Sequence, residues 1–452
     1  MRKVLTSVCV ISLIVLSASL SIAESATYSI TDLGTTIVPV AINNTGQVVG
    51  YKEMGDGHDE AIIYQGGVVT GLGTFGGTDS IAMGMNSSGY IVGNFKTSSG
   101  ETHGFQVYNN VFTDLFSAAG IINVAGVNNS NTVFGSILGP YNEEVEGWLI
   151  KHAVFYDNGL VTNISMGMNA DNSHPVAIND VGQAVFAQYP CGDCKNSFLY
   201  SGGTLESFGW FIATDLNDQG HLVGTRSSYS WNQDDEGILY HDGTETILNC
   251  PGPDCYPQAI NNQGQIVGNS RYDDTYHAFV YSNGSMTDLD ALLPSGSGWN
   301  LVEATDINDS GQIIGFGWFN ADWHAYLLDP LQEVEIRILS NSGKDKVRLY
   351  SNDLLTVAII STPAFDANTV NPVTIKLAGA VVKTVGKGER YFTDLEDVNG
   401  DGLMDLVCKV PIGELNIEPS GTSARFDLEA QTFDGQKIQG EATVPVSVKQ
   451  NK

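Results

Sequence analysis

Short apolar runs that alternate with polar residues and end at Gly, Asn or Asp make up most of the chain after residue 27. The stretch "AINNTGQVVG", Ala41 to Gly50, is typical, because two apolar arms flank the polar residues between them. This alternation, together with frequent turn residues, predicts β-strands rather than helices. Asn43 can accept a hydrogen bond from a backbone N–H two residues later, and Gly46 suits a positive φ. The stretch therefore predicts a β-hairpin.

The hairpin motif recurs seven times, at intervals of 38 to 51 residues. We number units 1 to 7 by their anchor asparagines, which are Asn43, Asn86, Asn128, Asn179, Asn217, Asn261 and Asn308. An aromatic segment such as "HAFVY" (His277–Tyr281) usually follows, then a turn and a segment such as "MTDLDAL". A period in the forties is typical of arrays of similar supersecondary units. We interpret the motif as a repeated structural part rather than seven copies of a binding site.

Each unit contains four short predicted strands, which matches one blade of a β-propeller. Unit 7 stops after "HAYLLDP" at Pro330 and lacks the last of these strands. The segment "YSITDLGT", Tyr28 to Thr35, precedes unit 1 and resembles the missing strand. Its pairing with unit 7 would close the array and cover the exposed sheet edges. We predict an all-β fold with a seven-bladed β-propeller over residues 27–330, and a linear β-solenoid is the alternative.

Residues 333–449 carry no repeat and are predicted to form a small antiparallel β-sandwich. They contain "DVNGDGLMDLV", in which oxygen-bearing side chains have the spacing of a calcium-binding loop. The predicted Ca²⁺ ligands are Asp397, Asn399, Asp401, the Leu403 carbonyl and Asp405. Cys408 stands where an EF-hand has its bidentate Glu, and Asp394 or Glu396 could supply that carboxylate instead. An acidic glycine turn without an ion is the alternative.

Residues 1–23 have the pattern of a secretory signal peptide. Arg2 and Lys3 precede an apolar run from Val4 to Ala23 that ends in small residues. We expect cleavage after Ala23, with an uncleaved membrane anchor as the alternative. No later apolar segment is long enough to span a bilayer. The mature protein is therefore expected to be secreted, in the medium, the periplasm or at the cell surface.

The formal net charge of −30 at pH 7 disfavours nucleic acid and anionic lipid as partners and favours divalent cations. Intrinsic disorder is another common reason for such acidity. It does not fit here, because 42% of the residues are hydrophobic and include 18 Tyr and 18 Phe. We expect a folded monomer whose partner is an extracellular glycan or protein.

Four histidines share one position in their units, which favours a packing or hydrogen-bonding role over catalysis. They are His103, His152, His277 and His324. None of the eight histidines stands beside an obvious Ser or Cys nucleophile motif, so we predict no catalytic residues.

Paired cysteines in an exported protein usually form disulfides. The candidates are Cys191, Cys194, Cys250 and Cys255. Local pairing (191 with 194, 250 with 255) and pairing between neighbouring units are both open, and a four-thiolate zinc site is a further alternative. Cys408 has no evident partner and is expected to be a buried thiol.

Units in which "AINNQGQIVG" (Ala259–Gly268) precedes "HAFVY" (His277–Tyr281) resemble the HAF-type extracellular repeats of bacterial secreted proteins. The resemblance covers roughly residues 27–330 and implies bacterial export and a propeller-like array, with no established reaction. The segments "VAIISTPAFDANTVNPVTIKLAGA" and "LEDVNGDGLMDLV" resemble a C-terminal module of bacterial secreted proteins. That module is implied to be calcium-dependent and non-catalytic.

These features favour a secreted, non-catalytic binding or surface protein with a calcium-stabilised C-terminal module. In a propeller the ligand face is built from variable loops. A carbohydrate-active hydrolase or lyase, with two carboxylates that meet at the propeller mouth, is the second hypothesis. A structural matrix or adhesion component is the third. We expect function in residues that differ between units, such as the long unit 3 and the cysteine-bearing units 4 and 5.

Overall fold

The computed structural model describes residues 27–139, 144–145, 148–165, 173–191, 194–226, 235–294, 296–339, 346–385, 390–433 and 435–448. Strands dominate these residues, and the expected all-β class is confirmed. The helical segments among them are α1 (Leu115–Ala119) and three short 3₁₀ helices, Leu289–Leu292, Ala367–Thr369 and Ile412–Glu414. None of these helices is long and apolar enough to cross a membrane. The predicted signal peptide lies outside the described residues.

Strands β1 to β30 lie in the region of the repeats. Their bounds are β1 Thr27–Gly34, β2 Ile37–Ile42, β3 Val48–Glu53, β4 Asp59–Gln65, β5 Val68–Gly71, β6 Asp79–Met85, β7 Ile91–Lys96, β8 Thr102–Tyr108, β9 Val111–Asp114, β10 Ile121–Val127, β11 Val133–Leu138, β12 Glu144–Val145, β13 Trp148–Leu149, β14 Lys151–Asp157, β15 Leu160–Asn163, β16 Ser173–Ile178, β17 Ala184–Cys191, β18 Cys194–Ser201, β19 Thr204–Ser207, β20 Phe211–Leu216, β21 Leu222–Arg226, β22 Glu236–His241, β23 Thr244–Ile247, β24 Asp254–Ile260, β25 Ile266–Tyr272, β26 Thr275–Ser282, β27 Ser285–Asp288, β28 Trp299–Ile307, β29 Ile313–Phe319 and β30 Asp322–Glu333.

Units 1 to 6 each form a four-stranded antiparallel sheet. The strand orders are β2-β3-β4-β5, β6-β7-β8-β9, β10-β11-β14-β15, β16-β17-β18-β19, β20-β21-β22-β23 and β24-β25-β26-β27. In unit 7, β1 completes the set β28-β29-β30 by pairing antiparallel with β30, from Thr27↔Leu331 to Gly34↔Ala325. The predicted pairing of the N-terminal segment with unit 7 is confirmed.

The repeated motif forms the hairpin between the first and second strands of each unit. In unit 1, Asn43 Oδ1 accepts hydrogen bonds from the backbone N–H groups of Thr45 (3.1 Å) and Gln47 (3.0 Å). Gly46 has a φ of 74°. In unit 3, Asn131 replaces this glycine and keeps φ at 64°, which Asn tolerates better than most residues. Turn chemistry therefore explains the motif, as the sequence predicts.

The same anchor asparagines connect the seven units in a closed circle. Each anchor donates through Nδ2 to the backbone carbonyl of the next anchor over 2.9 to 3.3 Å, and Asn308 donates back to Asn43. Only 3 to 6% of the surface of these residues is exposed. The first strands lie side by side in the same order, with β28 next to β2. We call this set of bonds the asparagine circle.

Strands β31 to β41 follow the repeats. Their bounds are β31 Ile336–Leu339, β32 Val347–Leu349, β33 Leu354–Ile359, β34 Lys376–Leu377, β35 Ala380–Val381, β36 Thr384–Val385, β37 Arg390–Tyr391, β38 Thr393–Glu396, β39 Asp405–Pro411, β40 Ser423–Gln431 and β41 Lys437–Val448.

Two sheets of this C-terminal part share one buried apolar cluster. The sheet β31-β33-β39-β38 contributes Val357, for example, and the sheet that contains β40 and β41 contributes Phe426. Strand β30 runs past Pro330 and pairs in parallel with β41, at Leu331↔Lys437. A continuous sheet therefore crosses the predicted boundary between residues 330 and 333.

Replacement of Asn261 by Asp tests the asparagine circle. Aspartate keeps an oxygen for the N–H groups of Gln263 and Gln265, but it cannot donate to the Asn308 carbonyl and places a charge against it. We expect the free energy of unfolding, measured by urea denaturation, to fall by about 1–3 kcal/mol. The exposed turn substitution Gln263→Ala should change it by less than about 0.5 kcal/mol. Equal stability of Asn261→Asp and the wild type would contradict this role.

Candidate functional site

Two of the four repeated histidines form hydrogen-bonded pairs with carboxylates between the third and fourth strands of their units. In unit 2, His103 Nδ1 lies 3.1 Å from Asp114 Oδ2, and in unit 7, His324 Nδ1 lies 2.8 Å from Asp32 Oδ1. Asp32 belongs to β1, so the second pair also fastens the strand that completes the last sheet. These contacts support the hydrogen-bonding role that the repetition of the histidines predicts.

Unit 7 presents an aromatic surface formed by Phe316, Trp318 and Trp323. The two tryptophans are direct cross-strand partners on β29 and β30, with ring centroids 5.1 Å apart. Phe316 lies parallel to Trp323 at a centroid distance of 5.9 Å. Trp318 is 47% exposed and Trp323 is 38% exposed. Large apolar rings that face solvent together are typical of an interaction site.

The other face of the same hairpin holds this surface in place. Trp299 stacks on Phe319 at 4.8 Å, and both rings meet His324 edge-on. Trp299 also packs against the apolar cluster that unit 7 shares with unit 6. The aromatic surface is therefore supported by packed side chains, which fixes its geometry before any ligand binds.

Two carboxyl groups lie on first strands, two residues before the anchors of units 5 and 7. Asp215 Oδ2 accepts the Ile260 N–H of unit 6 (2.9 Å), and Asp306 Oδ2 accepts the Ile42 N–H of unit 1 (2.8 Å). A β-bulge precedes both positions and re-aims the side chains. The equivalent residues of the other units are small, namely Ala41, Gly84, Gly126, Ala177 and Ala259.

Loss of water raises the pKa of both groups. Burial, and then the charge of Asp306, raise the pKa of Asp215 to about 8, and burial raises the pKa of Asp306 to about 7. The backbone N–H donors act in the opposite direction without cancelling the effect of burial. Near neutral pH, one of these two groups can therefore be a carboxylic acid while the other is a carboxylate, a combination that acid–base chemistry uses.

The predicted calcium loop is a turn between β38 and β39 that is held by its own side chains. Asp397 Oδ1 accepts the Gly400 N–H (2.7 Å), Asn399 Oδ1 accepts the Asp401 N–H (3.0 Å), and Asp401 Oδ1 accepts the Leu403 N–H (2.8 Å). Both Asp397 and Asp401 are exposed. The turn thus places three predicted ligands near one another at the surface.

Asp405, the last predicted ligand, is fully buried and bridges two segments. Its Oδ1 accepts the Ser361 N–H and its Oδ2 accepts the Val398 N–H, both at 2.8 Å. The carboxylate oxygens of Asp397, Asp401 and Asp405 do not form a group that lies within 4.8 Å. The structure therefore gives Asp405 a structural role and leaves the calcium site itself a prediction.

The cysteines are partly assigned. Cys250 and Cys255 form a disulfide, which confirms local pairing for these two and excludes them from a zinc site. Cys191 and Cys194 are direct partners of β17 and β18, but their side chains lie outside the described part, so their bond stays a prediction. Cys408 is the expected buried thiol, and burial raises its pKa to about 12.

Neither the aromatic surface nor the carboxyl groups of Asp215 and Asp306 were predicted from the sequence, although signals for both exist. In "GWFNADW" two tryptophans flank a two-residue turn, so that strand alternation places them on one face. In "TDLN" and "TDIN" an Asp replaces the small residue found in "VAIN". Both signals are departures from the repeat.

Part of the chain is similar to a known family. The family described as "Protein of unknown function (DUF3466)" matches residues 205–325. No curated protein matches the chain.

Solved structures with some likeness include the Pyrococcus horikoshii acylaminoacyl peptidase, with 12% identity and a TM-score of 0.45, over 77% of this chain and 60% of that one. The β-propeller domain of the trilobed protease from Pyrococcus furiosus has 9% identity and a TM-score of 0.41, over 63% and 92% of the two chains. A gluconolactonase from Xanthomonas campestris has 10% identity and a TM-score of 0.33, over 56% and 90%. The chain thus spans less than two thirds of the peptidase, and likenesses this weak do not indicate an activity.

The raised pKa values predict how stability depends on pH. Because Asp215 and Asp306 keep their protons in the folded state above the usual carboxyl pKa of about 4, their contribution to stability is complete below about pH 4 and is lost as pH rises through 7 and 8. Asp215→Asn removes the part of this loss that comes from Asp215 and leaves the part that comes from Asp306. We expect its melting temperature, relative to the wild type, to rise by about 3 °C or more between about pH 5.5 and about pH 8.5.

Thermal denaturation at both pH values measures this difference. Glu236→Gln, a change of an exposed carboxylate in the same unit that pairs with the non-titrating Arg226, should leave the pH dependence unchanged. Parallel curves for Asp215→Asn and the wild type would show that the buried carboxyl groups titrate normally.

Proposed function

We propose that the chain is an exported glycan-binding protein, with a seven-bladed β-propeller over residues 27–330 and a β-sandwich over residues 333–449. The asparagine circle and the completion of unit 7 by β1 support the arrangement of seven blades. The disulfide between Cys250 and Cys255 supports an oxidising compartment outside the cytoplasm. Binding without catalysis is proposed because the most prominent exposed feature is the aromatic surface of unit 7.

Two exposed indole rings suit a sugar. One face of a pyranose ring presents C–H groups, which pack favourably on the electron-rich face of an aromatic ring. Asn320 and Asp322, both exposed in the same hairpin, can hydrogen-bond the hydroxyl groups at the edge of such a ring. The net charge of −30 opposes anionic polysaccharides. The proposed ligand is therefore a neutral extracellular glycan.

Substitution of the two tryptophans tests this proposal. Trp318→Ala and Trp323→Ala should each weaken binding to neutral polysaccharides at least about tenfold, because each loses one stacking ring of about 1.4 kcal/mol or more. Binding is measured on a glycan array and then by calorimetry with the best ligand.

Tyr276→Ala is the matched control. Tyr276 occupies the position of Trp323 in unit 6, is also 38% exposed, and faces Arg271 instead of a second tryptophan. Its removal should leave binding intact. A glycan that binds all three variants and the wild type equally would rule out the aromatic surface as its site.

Calcium is the second part of the proposal. Asp397, Asn399, Asp401 and the Leu403 carbonyl are oxygen donors of the kind that Ca²⁺ prefers. Each carboxylate oxygen that accepts one backbone N–H retains a further lone pair for an ion. Bound Ca²⁺ would fasten the turn between β38 and β39 and so stabilise the C-terminal part, a linkage effect that grows with the concentration of the ion.

Removal of Ca²⁺ should therefore lower the melting temperature of the protein by at least about 2 °C, and its addition should restore it. Asp401→Asn should lower the melting temperature in calcium and abolish the response to chelation. Glu418→Gln, a change of an exposed carboxylate of the C-terminal part that lies outside this turn, is the control and should keep the response. A melting temperature that does not respond to chelation or to millimolar Ca²⁺ would refute a stabilising ion.

A carbohydrate-active hydrolase or lyase is the second candidate, favoured by the raised pKa values of Asp215 and Asp306. Turnover assays on the polysaccharides that the protein binds separate the two functions. Turnover by the wild type that is lost in Asp215→Asn, while binding persists, would replace the binding proposal with catalysis.

A further inference from the structure

Unit 6 departs from the histidine–carboxylate arrangement of units 2 and 7. His277 Nδ1 lies 3.5 Å from Asp288 Oδ2 and has no hydrogen-bond partner, although the atom is buried. Its other nitrogen, Nε2, lies 2.8 Å from Thr275 Oγ1. The imidazole is therefore oriented at Nε2 and left without a partner at Nδ1, where His103 and His324 have theirs.

Unit 6 also adds a third potential ligand. Two residues after the paired carboxylate, unit 2 has Phe116 and unit 7 has Gly34, whereas unit 6 has Asp290. One ligand atom from each of His277, Asp288 and Asp290 lies within 4.8 Å of the others. Within the described ranges, this is the one group of three His, Cys, Asp or Glu side chains with that property. Ligands around a bound Zn²⁺ are separated by about 3.3 Å, so a small adjustment would close the group on an ion.

A buried polar side chain faces the same place. Ser270 pairs with His277 across β25 and β26, and its counterpart in unit 2 is Phe95, which pairs with His103. Ser270 is 1% exposed, and its hydroxyl has no hydrogen-bond partner. Ser270, His277 and Asp288 line one pocket of about 440 Å³ together. An unsatisfied hydroxyl in such a pocket calls for a polar occupant.

The carboxylates are held by neighbouring groups. Asp290 Oδ1 accepts the Leu301 N–H (2.8 Å), and Asp288 Oδ1 accepts the Asp290 N–H (2.8 Å). The Tyr272 hydroxyl donates to Asp288 Oδ2, and the Tyr272 ring stacks on His277 at 3.8 Å. Outer partners of this kind orient ligands in metal sites.

Electrostatics point in the same direction. Asp288 and Asp290 each place a carboxylate oxygen within 4.8 Å of the other's. Two partly buried carboxylates close together repel each other, and a cation between them would relieve the repulsion.

We propose that His277, Asp288 and Asp290 form a binding site for a divalent transition-metal ion such as Zn²⁺, with an open coordination position toward Ser270. One imidazole nitrogen and two carboxylates form a mixed nitrogen–oxygen set that suits such ions, whereas the calcium loop offers oxygen alone. The site lies in unit 6, whereas the aromatic surface lies in unit 7. The metal proposal therefore does not depend on the glycan proposal.

Zinc binding to the full-length mature protein tests the site, with millimolar Ca²⁺ present to occupy calcium loops. Calorimetry counts the bound zinc ions, and the visible absorption of Co²⁺ as a substitute ion reports the coordination number of the site. The wild type should bind one more equivalent of Zn²⁺ than Asp290→Asn, or bind it at least about tenfold more tightly, a difference of about 1.4 kcal/mol. Ser270→Ala should keep the site, because the hydroxyl lies beside it.

Asp114→Asn is the matched control, since it alters a histidine–carboxylate pair that has no third ligand. It should bind zinc like the wild type. Circular dichroism confirms that each variant is folded before zinc is added. Identical zinc stoichiometry and affinity in the wild type, Asp290→Asn and Asp114→Asn, or no zinc binding by the folded wild type, would overturn the proposal.

Discussion

The side-chain amide of the anchor asparagine is the interaction on which the rest of the structure depends. Its oxygen accepts backbone N–H groups of its own turn, and its nitrogen donates to the backbone of the next unit. Aspartate could perform only the first task, and serine reaches less far. Because the residue is buried, both halves of the amide need partners. Asn at all seven positions therefore sets the local hairpin and the order of the units together.

Because the anchor asparagines are the same in all seven units, side chains with different chemistry occur at positions other than these anchors. Asp215 and Asp306 replace small residues next to the asparagine circle, and Ser270 stands where unit 2 has a phenylalanine. The tryptophans of unit 7 occupy the end of a hairpin whose other face is packed. The proposed glycan surface and the proposed metal site thus lie on different units, and each unit has the same arrangement of four strands. A repeated scaffold lets single substitutions create sites because the surrounding backbone is already fixed.

Local features of the chain could be predicted from sequence, and features that depend on neighbouring units could not. Turn chemistry at Asn43 and Gly46 follows from patterns within a few residues, and the pairing of β1 with β30 follows from the repeat itself. The sequence left local pairing of Cys250 with Cys255 and pairing between units open, and the structure decides for the local disulfide. The bond from one anchor to the next requires the spacing between units, which the motif does not contain. His277, Asp288 and Asp290 come together only through the pairing of β26 with β27. The continuation of β30 beyond Pro330 was not predicted from the sequence, because Pro is uncommon inside strands and the last repeat ends at Pro330.

We propose that the asparagine circle and β1 close the seven units into one ring. Hydrogen–deuterium exchange measured peptide by peptide on the wild type and on Asn308→Asp tests it most directly, because this variant breaks the link between units 7 and 1 while keeping the turn acceptor. We predict that residues 28–34 are as protected as residues 322–333 in the wild type, and that both lose protection in the variant while units 3 and 4 keep theirs. Rapid exchange of residues 28–34 in the wild type, with residues 313–319 fully protected, would contradict a closed ring.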